Sequence, residues 1–383
     1  MTFLNKNQGI RANRVRAFPR SKGFTLVELL TALVIGSVLM LGAITIMVNS
    51  KDAYETQDDL ARLQENARFA MNLLLKDIRM AGYFGCNVDP DKTFDHIDNG
   101  GAGNLFDSGF GLEGMDNYDN SATWEPSGVD ADIDAIAGLT YLAGSDGLTV
   151  RYLDPASAVS IDEDMPQPSA EMKVSSVGNL VDGQVVAISD CSNTDIIQLT
   201  NVQSGSLHLQ HNSGSGIPGN VNSNTEFNFS GCNAPNCLSK AYGEGAQVLS
   251  MKAVRYFLYD DDGDGNPSLH RLLVAPSGGN AVTTLQKLVD GVDSLQITYG
   301  EDTTGNSIAD TYGTADSVTN WSNVSTVRIG MLLNTVDEYG QQINTTAYTV
   351  AAGNSVNGED FPAQNDRRRR RLFTATVLLR NPQ

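Results

Sequence analysis

The chain has 383 residues, 40% hydrophobic and 19% charged, and its 26 basic and 45 acidic side chains give a formal net charge of −19. That size carries a long segment plus one or two globular units and excludes a small stapled scaffold. The acidic excess argues against a general nucleic-acid binder, which needs a cationic face. Four Cys and four His leave little for a zinc cluster or a histidine relay, and 37 Gly suit a turn-rich β protein.

Residues 1–23 form a basic leader with six basic side chains and no acidic one; the remaining 20 basic residues face all 45 acids. Residues 24–48, FTLVELLTALVIGSVLMLGAITIMV, are apolar apart from Glu28. A helix of roughly 20 apolar residues crosses a bilayer. The basic flank places the leader in the cytoplasm and the rest of the chain outside. A signal peptide would have a shorter apolar core followed by a small-residue cleavage site. A plain anchor leaves Glu28 unexplained, because a carboxylate in hydrocarbon costs about 2.5–3.5 kcal/mol or more. Cleavage between Gly23 and Phe24 would supply an answer. The new α-amino group then lies four residues before Glu28, on the same helix or on a neighbouring subunit, and is a cation for it to meet.

Lys22-Gly23-Phe24-Thr25-Leu26-Val27-Glu28-Leu29 resembles the type IV prepilin processing motif. The resemblance implies that prepilin peptidase cuts after Gly23, that Phe24 becomes N-methylated and that Glu28 guides subunit docking.

Residues 49–81 carry Leu60, Leu63, Ala67, Ala70, Met71, Leu74, Leu75 and Ile78 at three- and four-residue steps, one apolar stripe on a helix. Asp58, Asp59, Arg62, Glu65, Arg68, Lys76 and Asp77 are expected largely off that stripe. No proline interrupts 24–81, so a single helix is predicted, stopping at Gly82. The stretches Arg62–Ala70 and Arg79–Cys86, with Val327-Arg328-Ile329, Met331-Leu332-Leu333 and the ending Arg371–Asn381, are similar to the PilW family of minor pilin-like assembly proteins. The resemblance covers 22–90 and about 246–383. It implies a pilin-like α+β fold, with the long N-terminal helix packed on an antiparallel sheet. The implied partners are the prepilin peptidase, other minor pilins, the major pilin, the inner-membrane assembly platform and a PilY-type tip adhesin. The implied location is the inner membrane with the domain in the periplasm, then the pilus tip.

Residues 82–145 read as a Gly/Asp/Asn-rich insertion. Gly109–Gly114 matches G-x-G-x-x-G but neither follows a strand nor opens a helix, so a dinucleotide site fails on context. In the β-rich region 146–383, strands are expected at 148–153, 184–189, 196–202, 248–259, 269–274, 295–299, 324–333 and 372–379. Four Cys in an oxidising compartment point to two disulfides, with three pairings possible. The short loop favours Cys232 with Cys237, which leaves Cys86 with Cys191. Asp260, Asp262 and Asp264 begin like a calcium loop, but position twelve is Arg271 and the flanks are strands, so a solvated hairpin turn is preferred. Glu301–Asp310 is a weaker acidic turn. Arg367–Arg371 reads as a strand entry balancing the domain's acids in preference to a DNA contact. His208 and His211, three apart on a strand, point to opposite faces. No constellation supports catalysis. The reading is a minor pilin that primes type IV pilus assembly, with a type II secretion pseudopilin or a calcium-dependent tip adhesin as alternatives.

Overall fold

The computed structural model describes residues 23–86, 90–98, 105, 111–118, 123–124, 129–130, 141–338 except 215, 228, 262 and 264, 342–350 and 359–380. The leader before Gly23 and much of the 82–145 insertion lie outside the described residues. The chain divides into two compact units between Glu55 and Thr56.

The helix α1 spans Leu26–Met80, 55 residues. In the first unit every described residue from Gly23 to Lys51 is exposed, and α1 there is long and apolar enough to cross a membrane, with mean hydropathy 2.4 in its best window. Its few hydroxyls are folded back onto the helix: Thr31 donates to the Glu28 carbonyl at 3.0 Å, Ser37 to Val34 at 2.8 Å and Thr45 to Leu41 at 2.9 Å. That spares each hydroxyl a missing partner in an apolar medium.

In the second unit the strands that frame the core are β1 (Thr93–Asp95), β2 (Leu112–Met115), β3 (Gly147–Leu153), β4 (Val185–Ser189), β5 (Thr194–Gln198), β6 (Gln247–Tyr259), β7 (Ser268–Ser277), β8 (Asn280–Asp290), β9 (Val292–Glu301), β10 (Val324–Asn334) and β11 (Arg370–Leu378). One sheet runs β1-β5-β4-β6-β7-β8, with β3 also on β6 and β2 on β3. A second has Thr311–Gly313, β9, β10 and β11 in that order. The 13-residue β6 changes neighbours along its length: β4 pairs with Gln247–Ser250, β3 with Met251–Tyr256 and β7 with Val254–Tyr259. All these pairings are antiparallel except β1 with β5, which is parallel.

The stripe of α1 meets both sheets. Leu63, Ala67, Ala70, Met71, Leu74 and Ile78 are buried with Val254, Tyr256 and Leu258 of β6, Leu295 and Ile297 of β9, and Val327, Ile329 and Met331 of β10. Each large aliphatic side chain so buried stabilises the fold by about 1.5–3 kcal/mol. Asp77 corrects the sequence expectation. It lies on the buried face, 4% exposed, and its carboxylate accepts the hydroxyls of Tyr256 (2.6 Å) and Tyr152 (3.0 Å). Burial, with Asp77 close by, pushes both phenols well above their ordinary pKa. They therefore stay protonated as donors.

Just past the helix, Gly82 at φ +73° turns the chain. Its N–H donates to Arg151 O and Tyr83 O accepts from Leu153 N, so the exit segment is stitched to β3. Cys86, next along, is bonded to Cys191 in the turn between β4 and β5, and Cys232 is bonded to Cys237.

The strand expectations leave out several short strands, β1, β2 and Thr311–Gly313 among them, and differ at two longer segments. The run 196–202 is two strands, because the chain changes partner at Leu199 and Thr200: β5 stays in the large sheet while Asn201–Gln203 joins His208–Gln210 and Met172–Lys173. β8 is not expected from the sequence, since Ala281, Val282, Leu285, Leu288 and Val289 have helical spacing. The Gly278-Gly279 turn, both at positive φ, instead folds 280–290 back on β7 as a hairpin.

Asp77→Ala removes the acceptor of the buried Tyr256 phenol and of the half-buried Tyr152 phenol. It is expected to destabilise the folded domain by about 2–4 kcal/mol. Urea unfolding followed through the buried Trp124 and Trp321 measures this, and Tyr256→Phe should cost less than Asp77→Ala.

Candidate functional site

The amino-terminal segment is built by its own first turn. Thr25 precedes the helix and Glu28 lies in its first turn. The Thr25 N–H (3.0 Å) and hydroxyl (2.9 Å) both donate to Glu28 Oε2, and the Glu28 N–H returns a bond to Thr25 Oγ1 at 3.3 Å. This is a reciprocal capping box, which satisfies helix-end donors that have no intrahelical acceptor. The sequence reading gave Glu28 only the α-amine as a partner and passed over Thr25, although Thr-x-x-Glu before an apolar run is the signature of such a cap. Both Thr25 bonds fall on one carboxylate oxygen, so Oε1 keeps its lone pairs for a second donor. Phe24 beside it is 87% exposed. Gly36 and Gly42 have no neighbour within 4 Å of a Cβ position.

The other sequence-derived candidates separate from one another. Asp260 accepts the backbone N–H groups of Gly263 and Gly265, both at 3.0 Å, at the turn between β6 and β7. Asp262 and Asp264 lie outside the described residues. In the second acidic turn, Asp302 accepts the N–H groups of Thr304, Gly305, Asn306 and Ser307 and so organises its loop. Gly109 and Phe110 of the glycine motif are outside the described residues; its other end is strand β2, not a helix start.

The arginine run divides by burial. Arg370, with its side chain 3% exposed, bonds Asp293 at 2.7 Å and Asp366 at 2.6 and 2.7 Å. Its guanidinium holds Asp366 below the usual carboxylate range, while burial pushes Asp293 up. Arg367 pairs with Glu338 at 2.9 Å. Arg371 is exposed.

One cluster escaped the sequence reading because its members are far apart in the chain. Ser223 Oγ lies 3.3 Å from His96 Nδ1, and His96 Nε2 lies 2.5 Å from Asp195 Oδ1. Asp195 also accepts the Ser239 N–H and hydroxyl and the Tyr242 hydroxyl. A serine, a histidine and an aspartate in line resemble a nucleophile relay. Ser223, however, is 1% exposed, and the Phe227 ring lies 4.8 Å from that of His96. The cluster fastens the 211–245 segment to β1 and β5. His211, next to it, is buried, and its ring nitrogens face the Pro168 and Asn236 backbone without a hydrogen bond of ordinary geometry among the described residues. Burial first, then His96, pushes its imidazole down to about 4. A histidine ordinarily near 6.5 then takes up its proton in the unfolded chain before the folded one, so stability falls on acidification. The loss begins near pH 6.5, is complete near pH 4 and is on the order of 3 kcal/mol. His211→Leu should reduce the slope of urea midpoint against pH in that window.

Two family models match the chain. Residues 18–44 match the prokaryotic N-terminal methylation motif, and residues 255–381 match type IV pilus-assembly protein W. The second match runs from within β6 to just past β11. No curated protein matches the chain significantly.

Proposed function

Taking as premise a prepilin-like chain of the PilW family, related to type IV pili, we propose that it is a minor pilin that primes pilus assembly and sits at or near the pilus tip. Prepilin peptidase would cut between Gly23 and Phe24 and leave the apolar helix in the inner membrane. The domain would face the periplasm, and extraction would then move the helix into a bundle of other helices. The proposed partners are the assembly platform, the major pilin, other minor pilins and a PilY-type adhesin.

The observation that carries this reading is Glu28, the lone charge in a fully exposed apolar helix, placed one turn from the bond to be cut. Its carboxylate has two tasks that share one side chain. Oε2 closes the cap with Thr25, and Oε1 is left for the amine that cleavage creates. A charge-assisted bond to that amine is about twice as strong as a neutral one. It would set the register between neighbouring subunits.

Glu28→Gln separates the tasks, because glutamine also closes a capping box but carries no charge. The variant is expected to be cleaved, methylated at Phe24 and inserted, yet absent from sheared filaments. N-terminal sequencing of the membrane fraction and immunoblots of sheared pili read the two steps. Normal incorporation of Glu28→Gln would refute docking by charge, and a mature start elsewhere than Phe24 would refute the processing step.

A further inference from the structure

We propose that the outer edge of β11 is a docking site for an extended acidic segment of a second polypeptide, added as a further strand to the four-stranded sheet. The inference rests on the folded domain and not on N-terminal processing, so it survives a negative result for Glu28.

Among the described residues β11 is the last strand of its sheet and pairs only with β10, from Thr326 opposite Leu378 to Asn334 opposite Arg370. Two backbone bonds just outside this pairing fix its parity. The Leu379 N–H donates to Ser325 O and the Thr335 N–H to Arg369 O, each at 2.9 Å. Bonded positions alternate along an antiparallel ladder. The odd-numbered residues 371–377 therefore turn their N–H and C=O groups to β10. Leu372, Thr374, Thr376 and Leu378 turn theirs outward, and among the described residues none of these four has another backbone partner. A row of unpaired N–H and C=O groups is the surface that an added strand recognises.

The space beside this edge is already shaped. A cavity of about 570 Å³ lies between α1 and β11, lined by Ala61, the Glu65–Arg68 ion pair and Met71 on the helix and Arg371 and Phe373 on the strand. Leu378, further along the strand, is 64% exposed. Apolar and small side chains thus flank a polar backbone edge, as strand addition requires.

Charge selects the occupant. Arg371 is the second residue of the strand, with its guanidinium 5.6 Å from the Phe373 ring centroid, and Arg380 follows the strand; both are exposed and neither is in an ion pair among the described residues. Arg68 in the cavity wall is already held by Glu65 at 2.9 Å. The chain has 45 acidic residues for 26 basic ones, so a shortage of carboxylates does not explain two arginines at the ends of an open edge that have no carboxylate partner among the described residues. They repel basic strands and attract a segment with acids at its ends, which is discrimination by charge as well as by backbone bonding.

The test uses the full chain in detergent micelles with a synthetic peptide of roughly eight alternating Thr and Val residues, carrying paired Asp at both ends. Amide exchange is read residue by residue. The acidic peptide is expected to slow exchange at Leu372, Thr374, Thr376 and Leu378, leaving residues 373, 375 and 377 unchanged. The same peptide with Lys ends should bind about tenfold more weakly, and Arg371→Glu should abolish or invert that preference. Thr376→Pro removes one outward N–H without touching the ladder to β10, and should abolish protection while the tryptophan signal shows the domain folded. The proposal is overturned if the acidic peptide gives no protection, if odd and even residues are protected alike, or if the Lys-ended peptide binds equally. It is also overturned if an oligonucleotide protects these residues where the peptide does not.

Discussion

A carboxylate in an apolar interface holds this domain in one arrangement. Asp77 sits on the buried face of α1 between the hydroxyls of Tyr256 and Tyr152. Apolar contacts alone would allow the helix to slide by a turn at small cost, because Leu, Met and Ile repeat along its face. A buried acid with two fixed donors does not tolerate that shift, since displacement strips the buried carboxylate of both hydroxyls in a low dielectric. The tyrosines come from β3 and β6, so one side chain sets the position of the helix against paired strands of the large sheet. β9 and β10 close over the same stripe and inherit that position.

The second acid of α1 works under opposite conditions. Glu28 is exposed and has no tertiary partner among the described residues, where its geometry comes from Thr25 alone. One helix thus carries an acid committed to its own domain and another committed only to its own first turn. Among its described neighbours, nothing but that local cap has to be given up for Glu28 to engage a new donor.

Much of this was legible in the sequence because it depends on nearest neighbours. The apolar run, the basic flank, the proline-free helix and the stop at Gly82 are local signals, and the structure has one helix from Leu26 to Met80. The strands around residues 147, 185, 247 and 324 are dense in β-branched, aromatic and aliphatic residues and are visible for the same reason. What failed was non-local. Asp77 is in phase with Ala70 and Leu74 on the stripe, but a charged residue is assigned to solvent until the tyrosines that satisfy it are known. β8 has helical spacing, and only the two-glycine turn reveals it. The Ser223, His96 and Asp195 cluster joins three distant segments, so no spacing rule could find it. Thr25 is a different case: its cap was readable and was passed over because the more distant amine accounted for the charge.

The bond from Cys86 to Cys191 closes a ring of chain whose sequence separation is 105. Because the crosslink holds the helix exit to the β4–β5 turn, the stretch between Cys86 and Gly147 is not what keeps that exit in place. The entropy of closing a loop rises only with the logarithm of its length, about 0.6 kcal/mol per doubling. Evolution can therefore change the length of this stretch at little loop-closure penalty, provided that β1, β2 and the buried Trp124 are kept. The covalent ring leaves the spacing between those anchors open to variation while the pilin-like framework stays unchanged.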